Sequence, residues 1–430
     1  MINSGAWAGK RYAVLGLARS GLATVDALVA SGASVVAWDA NADARAKVRD
    51  AQLADPVTID LTGFAGVVVS PGVPINRHPI AAHAAEFGVP LIGDIELFAQ
   101  ARAELPAHKV VGITGTNGKS TTTALVAHIC ETAGLPTRMG GNIGLPILAQ
   151  EPLPEGGVYV LELSSYQIDL AYGLDCDVAV LLNITPDHLD RYGGEMKHYA
   201  ESKERLFMMQ ETGHASIIGI GDAYSAGVAK ELAWSGRSKD VTKISAGVCM
   251  DQSRWPALQG PHNAQNALAA IAVARHLGID NAAVDRALET FPGLPHRMER
   301  VATKGGVLFV NDSKATNPTS TAPALAAFPA IHWILGGQAK TDDLDACAPY
   351  YDHVRAAYTI GEAGAMFAGL LKGQVPVVEE CGVLDEAVRR AAGAARPGET
   401  VMLSPACASF DQFRDYEARG DAFRQAVGAL

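Results

Sequence analysis

Short apolar runs alternate with amphipathic stretches along almost the whole chain. The first run, at residues 11–15, leads through a glycine turn into a helical pattern that ends near Ser31, and apolar runs follow at 35–38 and 67–69. Strands that alternate with helices in this way are typical of βαβ units on a parallel sheet. The pattern therefore predicts an α/β fold.

Two further blocks repeat this pattern. One begins with the apolar run at 109–113, and the other begins near residue 307 and closes with a helix after Ser409. The Pro- and Gly-rich stretch 291–295 between them has the composition of an interdomain linker. We predict three α/β domains at residues 1–96, 97–296 and 297–430, the first and the last of them Rossmann-like.

The composition is that of a globular protein, with 48% hydrophobic and 19% charged residues. The net charge of -11 leaves no general basic face for nucleic acid. Residues 12–30 follow two basic residues as a signal peptide would, but Arg19 and Asp26 interrupt them, and no apolar run reaches the roughly 18 residues of a membrane helix. We expect a monomer that binds no nucleic acid and inserts into no membrane.

The six cysteines stand singly, at positions 130, 176, 249, 347, 381 and 407. No pair forms a C-x-x-C motif, so the spacing indicates neither a disulfide framework nor a zinc site. A reducing compartment, the cytoplasm, fits this usage.

A glycine-rich loop joins the apolar run at 109–113 to a helical pattern at 122–131. The loop residues are Gly115, Thr116, Asn117, Gly118, Lys119, Ser120 and Thr121. Glycines let successive N–H groups turn toward an anion, Lys119 would reach the β- and γ-phosphates, and the Ser120 hydroxyl would bind Mg²⁺. Ile113 replaces the first glycine of G-x-x-x-x-G-K-[ST], and a simple helix cap is the alternative. The order of strand, loop, Lys-Ser and helix favours a central domain of the P-loop ATPase type.

A second glycine turn follows the first apolar run. It consists of Gly16, Leu17, Ala18, Arg19, Ser20 and Gly21, and Asp39 ends the next run. This arrangement suits a diphosphate with a ribose hydroxyl on the acid, although any tight βα turn needs glycines. Ser70 and Gly72 follow the third run, at strand ends where open sheets bind ligands. An NAD dehydrogenase would fit this block but explains nothing of residues 109–430.

Two polar residues of the central block follow predicted strands. Glu162 ends the run 158–161, and His188 comes shortly after the run 178–182. A carboxylate and an imidazole at adjacent strand ends, beside a phosphate loop, are suited to Mg²⁺. Each could alone be a structural residue.

Two other features have unremarkable explanations. Lys203 lies on an amphipathic helix after Gly194, where a single lysine is expected to face solvent. Asn263 and Asn266 open another helix, where they could cap the helix or face a purine edge.

Together these motifs resemble the Mur ligases over essentially the whole chain. The resemblance is carried by GTNGKS (115–120), GNIG (141–144), ELSS (162–165), NITPDHLD (183–190), HN (262–263), GLPHR (293–297), NDSKATN (311–317) and SPACASFD (404–411). The phosphate loop, Glu162 and His188 resemble every Mur ligase. The last two stretches resemble the members that add D-glutamate.

The resemblance implies a three-domain ligase that uses ATP and Mg²⁺, with UDP-N-acetylmuramoyl-L-alanine and D-glutamate as substrates. The first domain would bind the UDP end of the muramoyl substrate. The central domain would bind ATP and Mg²⁺, and the last domain would bind D-glutamate. The family lysine that matches Lys203 is carbamylated, which would make Lys203 a metal ligand beside Ser120, Glu162 and His188.

The resemblance also implies roles for single residues. Asn142, Ser164 and Gln167 would line the path of the muramoyl-alanine arm. The adenosine would contact Asn263, Asn266, Arg297 and Asp312. Lys119 and Lys314 would lie near the transferred phosphate, and D-glutamate would be surrounded by Lys314, Thr316, Lys340, Ser409 and Phe410.

The sequence departs from the Mur ligase pattern at two positions, and several alternative functions stay open. Gln338 stands where an acid is common, and Tyr416 stands where Phe is expected. Another Mur ligase or a folylpolyglutamate synthase fits residues 311–317 and 404–411 less well. A member that accepts L-glutamate stays open, and a nucleotide sensor would release phosphate regardless of glutamate.

Overall fold

The computed structural model describes residues 1–245 and 250–430. The backbone forms two compact units, Met1–Ala246 with Gln265–Ala287, and Gly247–Ala264 with Leu288–Leu430. The first unit contains two β-sheets and the second contains one. The predicted class of three α/β domains is confirmed, whereas the boundaries at residues 96 and 296 stay a prediction.

The N-terminal sheet has five parallel strands in the order β3-β2-β1-β4-β5, which is the Rossmann order 3-2-1-4-5-6 without its sixth strand. The strands are β1 (Arg11–Leu15), β2 (Ser34–Trp38), β3 (Gln52–Leu53), β4 (Phe64–Val69) and β5 (Leu91–Ile92). The helices are α1 (Arg19–Ala30), α2 (Ala42–Arg45), α3 (Ile80–Glu86) and α4 (Asp94–Ala101). Because the strands are parallel, the turns after β1, β2 and β4 share one edge of the sheet.

The central sheet has six parallel strands in the order β11-β10-β9-β6-β8-β7. The strands are β6 (His108–Thr114), β7 (Thr137–Gly141), β8 (Gly157–Glu162), β9 (Val178–Leu181), β10 (Ala215–Gly219) and β11 (Val241–Ile244). The helices are α5 (Lys119–Thr132), α6 (Ser165–Asp169), α7 (Met196–Met208), α8 (Ala223–Leu232), α9 (Pro261–Leu277) and α10 (Asn281–Thr290). Helix α5 begins three residues before the predicted 122, because Gly118 in a left-handed conformation (φ 84°) leads directly into it.

One apolar core joins these two sheets. It includes Phe98 of α4 and Tyr159 of β8, whose ring centroids are 5.0 Å apart. Both side chains are fully buried, and each such aromatic contributes about 2–3 kcal/mol by burial. The N-terminal and central sheets are therefore held together by the hydrophobic effect.

The C-terminal sheet has six strands in the order β12-β13-β17-β14-β15-β16. The strands are β12 (Glu299–Lys304), β13 (Val307–Asn311), β14 (Ile331–Gly336), β15 (Val354–Ile360), β16 (Val378–Gly382) and β17 (Thr400–Leu403). The helices are α11 (Pro318–Ala326), α12 (Gly364–Leu371), α13 (Leu384–Ala394) and α14 (Tyr416–Gly428). Only β12 among these strands runs antiparallel, as one arm of a hairpin with β13. Helix α14 begins at Tyr416 because the Asp415 side chain accepts the Ala418 N–H as a cap.

None of the described helices is both long and apolar enough to cross a membrane. Five cysteines are free thiols, namely Cys130, Cys176, Cys347, Cys381 and Cys407. The sixth, Cys249, lies outside the described residues.

Gly141, at the end of β7, is expected to be far less replaceable than other left-handed glycines. A Cβ there would overlap the Glu162 carbonyl oxygen, whereas Gly156, also left-handed, has open space around its Cα. Gly156→Ala should cost about 1 kcal/mol for backbone strain, and Gly141→Ala about 3 kcal/mol because the clash adds to the strain. Thermal unfolding of the two variants measures the difference, and equal melting temperatures would contradict it.

Candidate active site

The loop after β6 is fixed by hydrogen bonds to Asn183, which follows the neighbouring strand β9. The Thr116 N–H donates to the Asn183 carbonyl at 2.9 Å, and the Asn117 N–H donates to Asn183 Oδ1 at 2.9 Å. Lys119 Nζ donates to the carbonyls of Gly115 and Thr116 at 2.9 and 2.8 Å. The loop therefore stands ordered at the N-terminus of α5, where backbone N–H groups and the helix dipole favour an anion.

Glu162 lies at the end of β8, next to this loop. Its side chain is 3% exposed, and its Oε1 accepts from Asn142 Nδ2 at 2.9 Å. Its Oε2 is buried and has no hydrogen-bond partner among the described residues. A buried carboxylate oxygen without a donor is costly, so this position is suited to a cation or to a metal-bound water.

Lys203 corrects the expectation drawn from its helix. Instead of facing solvent it is 1% exposed, and its Nζ donates to the Gly115 carbonyl at 3.0 Å and approaches Thr114 Oγ1 at 3.5 Å. No carboxylate lies within ion-pair distance of Nζ in the described part of the chain. Burial, and next the nearby Lys119 ammonium, hold the pKa of Lys203 well below its usual value.

Lys203 is buried because of its position in the apolar pattern of helix α7. Tyr199, Leu206 and Phe207 form the buried stripe of α7, and Lys203 stands on that stripe four residues after Tyr199. The Tyr199 ring centroid lies 4.6 Å from Nζ, within cation–π range. The periodicity of α7 was the available signal for this position.

Lys119, Tyr199 and Lys203 line a pocket of about 290 Å³. The lining residues are Pro71, Gly72, Lys119, Asn142, Ser164, Ser165, Tyr166, Asp187, His188, Tyr199 and Lys203. His188 has a left-handed backbone (φ 51°), its ring centroid lies 5.4 Å from that of Tyr166, and its Nε2 lies 3.6 Å from Asp187 Oδ2. Lys119, Lys203 and His188 are therefore brought together, whereas the predicted Lys314 belongs to the second unit. We call this the reaction pocket.

A second pocket, of about 460 Å³, shares Pro71, Gly72 and Asn142 with the reaction pocket. Its other lining residues are Gly16, Ala18, Arg19, Ser20, Asp39, Ser70, Val73, Asp94, Gly141, Gly144, Pro146 and Gln167. Most of the substrate residues predicted in the first unit are thus gathered here. We call it the acceptor pocket.

The glycine turn of this pocket is held by its neighbours. Ser70 Oγ donates to the Gly16 carbonyl at 2.7 Å, and a Cβ at Gly21 would overlap that same carbonyl oxygen. Asp39 Oδ2 accepts from the Leu17 N–H at 2.6 Å, and its Oδ1 accepts from the Asn41 N–H at 2.8 Å. The Asp39 carboxylate therefore orders the turn in addition to lining the pocket.

Sequence reasoning missed Asp94, at the start of α4. It is 5% exposed and lines the acceptor pocket. Burial raises its pKa to about 6, so the group is still mostly a carboxylate at neutral pH. Only its place after a glycine, at a helix N-terminus, was visible in the sequence.

In the second unit, three loops follow the neighbouring strands β13, β17 and β14. Gln338 and Ala408 exchange two backbone hydrogen bonds of 2.9 Å. The buried Arg419 guanidinium donates to Ser313 Oγ and the Ser313 carbonyl at 3.0 and 2.8 Å, and to the carbonyls of Cys407 and Ala408 at 3.0 and 3.2 Å. The loops that carry the predicted D-glutamate residues therefore meet at one sheet edge.

The predicted residues on these loops differ in exposure. Ser409 is 2% exposed, Phe410 is 68% exposed, and Lys340 is also exposed. Lys314 Nζ lies 4.1 Å from the ring centroid of Tyr416, and Thr316 is half-buried.

The predicted adenosine residues belong to both units. In the first unit Asn266 packs against the phosphate loop, since a Cβ at Gly118 would overlap its Oδ1. In the second unit Asn263 Nδ2 donates to the Gln259 carbonyl at 3.0 Å. Asp312 uses both oxygens internally, for the Met298 N–H at 3.1 Å and for Ser404 Oγ at 2.8 Å. Arg297 is half-buried.

Comparison with known proteins decides the family. The chain matches the Mur ligase middle domain over residues 113–248 and the Mur ligase glutamate ligase domain over residues 296–407. It is 64% identical to the UDP-N-acetylmuramoylalanine--D-glutamate ligase of Novosphingobium aromaticivorans, over 100% of this chain and 97% of that protein. This chain belongs to the Mur ligase family.

Further similarities extend this result. The UDP-N-acetylmuramoylalanine--D-glutamate ligase of Sphingopyxis alaskensis is 62% identical to this Mur ligase over the full length of both chains. The crystal structure of a UDP-N-acetylmuramate-alanine ligase from Thermotoga maritima shares the fold, with a TM-score of 0.60 at 17% identity over 98% of this chain and 99% of that one.

The buried Asp312 carboxyl predicts a pH-dependent stability. Burial raises its pKa to about 7 from 3.8, so its stabilising contribution is present below about pH 4 and is lost as pH rises through about 7. Asn does not titrate. Asp312→Asn should therefore gain stability relative to the parent chain between about pH 4 and 7, and thermal unfolding across that range measures the gain.

A control for this pH effect is Asp352→Asn, at a carboxyl that is 80% exposed. The stability difference for this control should not change with pH in the same way. A pH-independent difference for Asp312→Asn would show that Asp312 is ionised over the whole range.

Proposed function

We propose that this Mur ligase joins D-glutamate to the alanyl carboxyl of UDP-N-acetylmuramoyl-L-alanine, with ATP converted to ADP and phosphate. The observation that carries the proposal is the reaction pocket, in which Lys119, Lys203 and His188 lie together beside the acceptor pocket. The full-length similarity to curated D-glutamate ligases supports the choice of amino acid. A cytoplasmic monomer remains our expectation.

The chemistry requires activation of a carboxylate, which is a poor acyl donor. An oxygen of the alanyl carboxylate attacks the γ-phosphorus, ADP leaves, and an acyl phosphate forms. The D-glutamate amine then attacks the acyl carbon, loses a proton, and phosphate leaves from the tetrahedral intermediate. Two anions must meet in the first step, so Lys119 and the loop N–H groups would offset their repulsion.

We propose that Ser120, Glu162, His188 and carbamylated Lys203 hold Mg²⁺. The partnerless Glu162 Oε2 fits this role, and oxygen atoms are the ligands that Mg²⁺ prefers. The described residues contain no cluster of three or more His, Cys, Asp or Glu side chains that could hold a metal, which is consistent with a site completed by hydroxyl, carbamate and phosphate oxygens. When bound, Mg²⁺ would neutralise charge on the phosphates.

The environment of Lys203 supports carbamylation. Its lowered pKa favours the neutral amine, and only a neutral amine has the lone pair that attacks CO₂. A new N–C bond forms and one proton leaves the nitrogen, so the neutral amine becomes a carbamate anion with two oxygens. That anion would suit a metal position beside Lys119.

We propose the remaining assignments on the resemblance of the motifs to those of the family. The acceptor would lie along Gly16, Leu17, Ala18, Arg19, Ser20, Gly21, Asp39, Ser70, Gly72, Asn142, Ser164 and Gln167. The adenosine would contact Asn263, Asn266, Arg297 and Asp312. The two carboxylates of D-glutamate would be bound by Lys314, Thr316, Lys340, Ser409 and the backbone near Phe410.

Replacing Lys203 tests the carbamate. Lys203→Ala should lower kcat at least about 100-fold, since a metal-positioning anion is lost, and a short carboxylate such as acetate should restore part of the rate. Lys197→Ala, on the same helix at a side chain that is 77% exposed, should stay within about twofold of the parent. Full activity of Lys203→Ala, or loss without any rescue, would contradict the carbamate.

Phosphate release tests the reaction itself. With ATP, Mg²⁺ and UDP-N-acetylmuramoyl-L-alanine, release should require D-glutamate and should be near background with L-glutamate or no amino acid. Phosphate release with L-glutamate but not with D-glutamate would support the same mechanism with a different product. Release that ignores the amino acid would contradict a ligase.

A further inference from the structure

The acceptor pocket contains two polar side chains that are more than nine-tenths buried, Asp94 and Gln167, at 5% and 2% exposure. Asp94 begins α4 of the N-terminal domain, and Gln167 lies in α6 of the central domain. The Gly93 N–H donates to the Leu170 carbonyl at 2.9 Å, which ties the two helices together at this point. Asp94 and Gln167 therefore line one cavity from two helices that this hydrogen bond joins.

Asp94 has unused acceptor capacity. Its Oδ1 accepts from the Ile95 N–H at 3.0 Å, and its other donor is its own backbone N–H. No side chain of the described residues donates to it. A carboxylate has about four acceptor positions, so at least two of them are left for a ligand.

Gln167 has unused donor capacity. Its Oε1 accepts from the Ser164 N–H at 3.1 Å and from Ser164 Oγ at 3.0 Å, which fixes the orientation of the amide. Within residues 1–245 and 250–430, no acceptor is hydrogen-bonded to its Nε2. The pocket therefore presents a buried acceptor and a buried donor, which together complement an amide group.

The location identifies the part of the acceptor that would reach these groups. The glycine turn at Gly16 lies at one part of the acceptor pocket, and Asn142 connects that pocket to the reaction pocket. Asp94 and Gln167 line the acceptor pocket, and neither of them lines the reaction pocket. Consider a molecule with its diphosphate at the glycine turn and its carboxylate near His188. Its sugar and lactoyl-alanyl amide would lie between the glycine turn and His188, where Asp94 and Gln167 line the pocket.

We propose that Asp94 is a specificity-determining residue that accepts the N–H of the lactoyl-alanyl amide, and so distinguishes an acceptor that carries alanine from one that does not. This inference rests on the proposed function. UDP-N-acetylmuramate has a lactoyl carboxylate in place of that amide. Asp94 would then face a negative charge instead of an N–H, and like charges at a desolvated position oppose binding.

Arg19 lines the same pocket and has the opposite charge. Its side chain is exposed, and its Nη2 donates to the Gly144 carbonyl at 3.0 Å. Solvent screens an exposed guanidinium more than it screens a buried carboxylate. The repulsion between Asp94 and the lactoyl carboxylate therefore outweighs the attraction by Arg19, and the pocket prefers UDP-N-acetylmuramoyl-L-alanine to UDP-N-acetylmuramate.

Calorimetric titration of the full chain with each nucleotide tests the proposal without depending on turnover. The parent should bind UDP-N-acetylmuramoyl-L-alanine at least about tenfold more tightly than UDP-N-acetylmuramate. Asp94→Asn should reduce this ratio at least about tenfold, by weakening the first nucleotide and strengthening the second. In phosphate release, its KM for the acceptor should rise while kcat stays within about twofold.

Glu96→Gln is the matched control on the same helix. Glu96 is 8% exposed and does not line the pocket, and its Oε2 accepts from the N–H groups of Tyr172 and Gly173 at 2.7 and 2.9 Å. This change should lower the melting temperature and leave the nucleotide ratio unchanged. A parent-like ratio in Asp94→Asn, or a parent that binds both nucleotides equally, would overturn the inference even if phosphate release establishes the ligase. A parent that discriminates between the nucleotides but releases no phosphate would overturn the proposed function instead.

Discussion

The parallel pairing of β6 with β8 and β9 is the constraint on which the reaction pocket depends. Ile113 is in register with Glu162, and Thr114 is in register with Leu181, so these strands end at the same level of the sheet. Parallel strands have their carboxyl ends at one edge. The phosphate loop, the buried carboxylate and the loop that carries His188 must therefore begin side by side.

The electrostatics of the reaction pocket depends on two neighbouring lysines, Lys119 and the buried Lys203. Lys119 and Lys203 both donate to the Gly115 carbonyl, and two ammonium groups this close cannot both keep their protons at low cost. Burial, and next the nearby Lys119 ammonium, lower the pKa of Lys203, so the protonated form of Lys203 is disfavoured in this arrangement. The two lysines of this pocket therefore differ in environment, since Lys203 is almost fully buried and Lys119 is only partly buried.

The second unit organises its loops by a different interaction. Arg419 is buried, and no carboxylate of the described residues lies within ion-pair distance of it. Its guanidinium donates to carbonyls and a hydroxyl of two loops. These hydrogen bonds satisfy a buried cation and set the spacing of the segments that begin at Ser313 and Cys407. Side chains on such loops are positioned by contacts made far away in sequence.

The sequence by itself determined the α/β class, the three domains, the glycine-rich loop between β6 and α5, and the position of Glu162 at the end of a strand. These features depend on local periodicity and on short motifs, which a linear pattern contains. The periodicity of α7 puts Lys203 on an apolar stripe, but only the tertiary structure decided how deeply Lys203 is buried and that Asp94 lines the acceptor pocket. Burial and pKa depend on which distant segments pack around a group, and a local sequence pattern does not determine that packing.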